Sequence, residues 1–464
     1  MSDWIKNFYS YWDVILVPLY LSVIIFIAYW WARRKGEKDI AYRYFLPGLM
    51  VKLAGGLAFT AVYTLYYHGG DCHAYFWNSK ALVNLSFKNP ETFFSILAGN
   101  TTPENRSWFD ETTGFPTDTM YTKGGESFAV ARFMVPFTLL SFNDMLVATL
   151  LLDTFAFWGI WQFFKMLVEM YPEMKKYIAV AVLFVPSVLF WGSGIMKDTF
   201  CLTATLWATK NIFSIFLMKR KVPVNIFTLV INIYILLSMK PYVVIALIPC
   251  LALAVSHQWT KKIKNRVISA IIGPSLITTG IVAGILFLSV FKSSMGTYSS
   301  VESAIEKAQI NQQDLSRTEQ YGTHGFDIGG FDPSFGGMIK KAPPAIIAGI
   351  FRPYLWEAGN IVMLVSALEN TLLLFFTLFI FLRAGPRKLF VSVATESYLL
   401  FALTFSLLFA FSVGLSTANF GALARYKIPA IPFFCTALAI IWGLFQQKII
   451  RESNHSSEEI PFNK

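Results

Sequence analysis

Four short polar motifs interrupt an otherwise apolar chain of 464 residues, and each combines residue types that can do chemistry. The first is Tyr66-Tyr67-His68-Gly69-Gly70-Asp71, continuing through His73 to Tyr75. Glycine pairs let backbone approach a ligand closely, and an aspartate beside them can take a proton or bind a metal. The same residues also read as a helix C-cap followed by a solvated aspartate. The second is Pro186-Ser187, Phe190-Trp191-Gly192-Ser193-Gly194 and Met196-Lys197-Asp198. It offers a Lys–Asp pair behind small residues that open space or let helices pack closely. The third, Phe351-Arg352-Pro353-Tyr354 with Trp356-Glu357, joins a phosphate-reading arginine to aromatic rings. Its alternative is an interfacial anchor with an Arg–Glu pair. The fourth is Asn419-Phe420-Gly421, then Arg425-Tyr426-Lys427 and Pro429.

The elements that carry these motifs follow from composition. The chain is 55% hydrophobic and only 14% charged, against roughly 25% charged in a soluble domain. Runs such as 14–31, 267–291 and 389–413 hold about 18 or more nearly uncharged residues, enough to cross a hydrocarbon core. Alternating ten-residue strands are absent, so the expected class is all-α, a polytopic transmembrane helix bundle rather than a β-barrel. About 11 spans are expected: 14–33, 45–67, 145–168, 178–196, 199–218, 224–239, 242–256, 267–291, 360–382, 389–414 and 428–447. The two segments around Lys240-Pro241 could also form one broken helix. The first span has acidic flanks, Asp3 and Asp13, and no small-residue cleavage site before Arg33-Arg34, which is unlike a cleaved signal peptide. The whole chain reads as a single membrane domain, 1–464.

Lys/Arg clusters orient these spans. Arg33-Arg34-Lys35, Lys175-Lys176, Lys219-Arg220-Lys221, Lys261-Lys262 with Lys264 and Arg266, Arg383 with Arg387-Lys388, and Lys448 with Arg451 all follow odd-numbered spans. The positive-inside rule makes that side cytoplasmic, with the N-terminus external and the C-terminus inside. All four motifs then fall on the external side. Arg425 and Lys427 stand there against the charge bias, which suggests an anionic partner. Two long external segments remain, 68–144 and 292–359. Within them 128–142 and 342–351 suit short interfacial helices, and the glycine-rich 322–337 suits a flap.

The net charge of +11 sits in short clusters at span ends, a membrane-orientation pattern that argues against a nucleic-acid partner. Cys72, Cys201, Cys250 and Cys435 have no CxxC spacing, so no zinc or disulfide framework is expected. Asp153, Glu369-Asn370 and Glu396 are intramembrane polar residues and candidates by default, with packing as their other reading.

An acidic residue opening an external loop after an early span, amphipathic segments behind it, and a second acid at the next external turn resemble the GT-C superfamily. The resemblance covers about residues 45–220, and Pro186-Ser187 with Lys197-Asp198 is similar to the loop of bacterial sugar transferases of this kind. It implies an integral membrane glycosyltransferase using polyprenyl-phosphate-linked sugars. Asp71 is then the catalytic base or metal ligand, and Asp198 the second acid. Two departures stand out. The first acid follows the second span, so 14–33 is an added helix, and the paired DxD form is absent, which leaves a divalent cation (Mg or Mn) open. Arg352 and Arg425 also resemble the external arginines of O-antigen-type polysaccharide polymerases, which act on lipid-diphosphate-linked sugars.

The expected function is therefore sugar transfer at the outer face of a bacterial inner membrane, from a lipid-linked donor to a glycan, lipid or protein acceptor. Asp71 and Asp198 are the expected catalytic residues. Lys197, Arg352, Glu357, Arg425 and Lys427 are expected to bind the donor, with His73, Tyr75, Tyr354 and Trp356 lining the sugar site. A lipid or solute transporter coupled through Glu369 and Glu396 is the reading from another class, and a non-catalytic subunit of an assembly complex is a third.

Overall fold

The computed structural model describes residues 8–123, 125–263, 301–317, 325–330 and 335–458, all of them helical or irregular, without a strand. Seven helices among these are long and apolar enough to cross a membrane: Asp13–Gly36, Ile40–Tyr66, Met145–Met170, Val222–Met239, Pro241–Thr260, Ile361–Ala384 and Ser397–Ser416. Phe420–Tyr426 and Ile431–Gln447, bent by 65° at a short break, make an eighth if they form one span.

Several expected spans differ. Segment 178–196 is broken: helix Lys175–Leu183 ends before Pro186, and a second helix, Pro186–Trp191, has six residues. Proline fixes its own φ and pushes the preceding residue out of helical geometry, so the break belongs at that point. Helix Lys197–Phe216 is long enough, but its threonines, Lys210 and Asn211 keep it out of the apolar class. Segment 389–414 divides at Glu396 into helix Pro386–Thr395 and the span Ser397–Ser416. Around Lys240-Pro241 the chain forms two helices, each of spanning length. The expected span 267–291 lies outside the described residues.

Two compact units account for the chain. One comprises residues 1–163, 188–208 and 227–244; the other comprises 164–187, 209–226 and 245–464. In the first, the long segment after the second span is built of helices Asp71–Lys88, Pro90–Leu97 and Gly125–Leu140. They enclose a core that includes Leu82, Leu85, Ile96, Tyr121 and Phe128. Tyr121 fills its centre, with Phe109 and Phe128 edge-on to its ring.

Deep in the same unit Lys52 and Asp153 form an ion pair at 3.3 Å, with side chains 2% and 0% exposed. Lys52 also donates to the carbonyl of Gly192 and to Ser193 Oγ, and Asp153 accepts the amide of Gly194 at 3.2 Å. Taking either charge out of water is costly unless its remaining donors or acceptors are met. Removing one partner alone should therefore be severe. Asp153→Ala is expected to destabilise the protein by about 3–5 kcal/mol, whereas the double substitution Lys52→Met with Asp153→Leu should recover most of that loss. Unfolding in detergent measures both, and equal losses in the single and double variants would contradict this account.

Candidate functional site

The first motif is shaped by an unusual helix end. Helix Phe45–Ala61 widens into a π-helical turn, Val62–Tyr66, a rare geometry often found at functional sites. The chain then passes His68, Gly69 and Gly70, with φ of 52, 137 and 142°, before Asp71 opens the next helix. Gly70 is required there: besides its φ, a Cβ would stand 2.7 Å from the Tyr63 ring. Asp71 lies in the first turn of its helix, where the macrodipole favours a carboxylate.

The second motif meets the same helix. The turn 192–196 leads into helix Lys197–Phe216, and Gly194, with φ 74°, leaves space for a Cβ only 2.6 Å from the Phe59 ring. Phe59 and Tyr63, one helical turn apart, stack with centroids 4.4 Å apart. The aromatic pair thus carries one glycine turn on each ring and ties the Asp71 loop to the Lys197-Asp198 loop. Thr199 Oγ1 donates to the Gly194 carbonyl at 2.7 Å, so backbone groups of Gly192 and Gly194 are all held.

The charges behind these loops form one cluster. Asp198, almost fully buried, is ion-paired with Lys240, which is also buried. Lys197 interacts with Glu126, Lys240 and Asp71, and burial pushes its ammonium below the ordinary lysine value against the pull of Glu126. Three carboxylates therefore share a neighbourhood with two lysines. Lys240 and Glu126 were not anticipated from the sequence. Lys240 was read only as a helix break, and Glu126 lies in a polar stretch with no motif around it. Among the described residues no three His, Cys, Asp or Glu side chains gather as a metal site. With Asp198 bound to Lys240, the donor set does not fit a divalent cation.

His73 and Tyr75 are corrected by burial. Tyr75 is 3% exposed and belongs to the core, so it offers no face for a sugar. His73 is equally buried, and its hydrogen bonds fix its tautomer. Thr64 Oγ1 donates to the Thr60 carbonyl at 2.7 Å, so it can only accept from the Tyr9 hydroxyl and from His73 Nε2 at 3.1 Å. The proton of His73 is then on Nε2, and Nδ1 accepts from the Cys72 thiol at 3.3 Å. Burial pushes His73 down to about 4, which keeps the ring neutral near pH 7.

The third and fourth motifs lie in the second unit, where they build on each other. Arg352 Nε lies 3.0 Å from Glu357 Oε1 and its guanidinium covers Phe326 and Phe420, 4.9 and 5.4 Å from the ring centroids. Those two rings stack at 5.3 Å. Lys427 is fully enclosed and donates to the carbonyls of Ile350 and Arg352, both at 3.1 Å, and to Asn370 Oδ1 at 2.6 Å. Its three donors are committed within the unit, so it positions backbone and leaves no proton for a phosphate. Glu357, read as a substrate ligand, instead pairs with Arg352 and accepts the Tyr354 amide at 2.9 Å. Arg425 ends helix Phe420–Tyr426 as its last-turn cation. Tyr354 and Trp356 stack at 4.9 Å, and Trp356 is 77% exposed, so this pair keeps an open aromatic face.

The expected flap is described only at 325–330 and 335–337. The first piece is pinned: Gly325 bridges Asn419, the Phe326 amide donates to Ala418 at 2.8 Å, and Lys341 donates to the Ile328 carbonyl at 2.7 Å. The intramembrane acids are also engaged. Glu369 accepts the amide and hydroxyl of Ser187, capping the short helix after Pro186, and Glu396 accepts the Tyr171 hydroxyl at 3.0 Å.

No protein-family model matches this chain, and no curated protein or solved structure is significantly similar to it. The aromatic hinge between the two glycine turns makes a sharp expectation. Gly194→Ala should cost about 1–3 kcal/mol through its positive φ and the Phe59 contact. Gly330→Ala, which would meet nothing within 4 Å, should be neutral. Thermal unfolding of the two variants measures the difference, and equal midpoints would refute the hinge.

Proposed function

We propose that this chain is an integral membrane glycosyltransferase that takes a sugar from a polyprenyl-phosphate-linked donor at the external face of a bacterial inner membrane. The product enters surface glycan or polysaccharide. The observation that carries the reading is the joining of the Asp71 and Lys197-Asp198 loops through Phe59 and Tyr63, with two lysines and three carboxylates behind them.

In this reading the Asp71 carboxylate takes the proton of the acceptor hydroxyl. The acceptor oxygen forms the new bond to the anomeric carbon while the bond from that carbon to the phosphate oxygen breaks. The electron pair leaves with the polyprenyl phosphate, and Lys197 stabilises the added charge. Lys240 pairs with Asp198 and holds it in place, so Asp198 supports the site and does not react. The chain enters with its N-terminus external and ends in the cytoplasm, and its partners are the lipid-linked donor and a glycan, lipid or protein acceptor. The polymerase reading gains less, because Arg352 is occupied by Glu357 and two aromatic rings. The transporter reading loses its coupling pair to the same kind of argument, since Glu369 and Glu396 hold neighbouring elements together.

Asp71→Asn keeps the size and the helix start but removes the base. Sugar transfer by reconstituted protein with polyprenyl-phosphate sugars should fall by about 10²- to 10⁴-fold at unchanged expression and fold. Full glycan output from cells carrying a normally expressed Asp71→Asn variant would sink the mechanism.

A further inference from the structure

The start of helix Met145–Met170 holds a carboxylate that the proposed reaction does not use. Asp144 is 7% exposed, and its Oδ1 accepts the Val147 amide at 2.8 Å. Its Oδ2 is buried with no hydrogen-bond donor among the described residues. An acceptor left in that state is destabilising until a donor reaches it. The side chain beside it is a second carboxylate, Asp13, at the start of the N-terminal helix. Tyr9 also faces it from the N-terminal segment, while its own helix presents the amides of Leu146 and Val147. Asp13 in turn accepts from the amide and hydroxyl of Ser10, both at 3.2 Å.

Two carboxylates in contact cannot both stay charged in such a setting, and a single proton between them turns repulsion into a hydrogen bond. It would also give Oδ2 the partner it lacks. The segment that this contact holds reaches the first motif directly. Phe8 sets its ring edge-on to His73 at 4.8 Å and tilts against Trp77 at 6.1 Å, and the Tyr9 hydroxyl donates to Thr64 in the π-helical turn. Further along, Tyr20 donates to the Leu140 carbonyl at 2.7 Å.

We propose that Asp13 and Asp144 form a proton-sharing clasp that seats the N-terminal strap on the turn presenting Asp71, and that loss of the proton releases it. Burial, and then the contact with Asp13, lift Asp144 from 3.8 to about 7. A folded-state value above the ordinary one means that the contribution is complete below about pH 4 and is lost as pH rises through about 7. His73, held neutral by burial, does not titrate in the upper part of that window. Tyr9, pushed up to about 12, stays protonated throughout.

The test places a nitroxide on Tyr11→Cys, a fully exposed position in the strap, in the whole protein in lipid nanodiscs. Cys72, Cys201 and Cys250 are buried, and Cys435 is changed to Ala so that the label is unique. Spin-label mobility is followed from about pH 5.5 to about pH 8.5. In the otherwise native chain it should rise with a midpoint at about pH 7. Asp144→Asn keeps Oδ1 for Val147 and offers an N–H to Asp13, so the label should stay immobile over the whole range. Asp13→Asn should do the same by donating to Asp144. A flat titration of the native pair, or Asn variants that still titrate, would overturn the clasp. The readout is strap motion and not sugar transfer, so it stands apart from the proposed activity.

Discussion

An ammonium and a carboxylate enclosed together by apolar helices persist only where every remaining donor and acceptor finds a partner. Lys52 and Asp153 meet this condition by grasping the backbone of the turn at Gly192, Ser193 and Gly194. That requirement dictates much of the first unit. It fixes the turn against the helix that bears Lys52, and hence the start of the helix carrying Lys197 and Asp198. The same helix bears Phe59 and Tyr63, one ring under each glycine turn. A buried pair that looks like a cost to stability thus acts as the register for the two loops that end in Asp71 and Lys197-Asp198.

How far the sequence reveals this depends on the range of the interaction. Asp71 and Asp198 were legible because each lies in the first turn of a helix just after a glycine turn, and both signals are local. Lys240 and Glu126 were not, since their relevance arises only when segments more than 40 residues away are brought to Asp198 and Lys197 respectively. Lys52 was hidden inside a run that reads as one apolar span. The helix class follows from composition, but the span count does not. A continuous apolar run gives no periodicity to separate a spanning helix from two short buried ones, and 178–196 proved to be the latter. The break at Glu396 was missed for the same reason, because a lone acid in such a run reads as an intramembrane residue.

The second unit shows a different limit of charge reasoning. The expected placing of Lys427 on the external side pointed to an anionic ligand, yet its hydrogen bonds go to two carbonyls and an amide oxygen, with the Glu369 carboxylate of the same unit also acting on it. The positive-inside bias describes loops that water and the translocation machinery can reach. A lysine drawn into protein escapes it, since its energy is set by local acceptors. Arg352 follows the same logic with Glu357 and two rings, which also explains why segment 325–330 is docked where a free flap was expected.

The charge sum of the first unit's cluster fits the order of events in sugar transfer. Among the described residues three acidic side chains, Asp71, Glu126 and Asp198, gather with two lysines, Lys197 and Lys240, and the excess of acids opposes a phosphate product. In the proposed transfer Asp71 would take the acceptor's proton, which removes that excess. The donor's phosphodiester gains one negative charge as its bond to the sugar breaks, so negative charge moves from Asp71 to the leaving group while the total stays constant. A site in a medium of low polarity stabilises such a relocation far better than a net gain of charge, because the fixed dipoles and ammonium groups need not reorganise. Lys197 is the group toward which that charge would move, and burial holds its ammonium below the ordinary lysine value against the pull of Glu126.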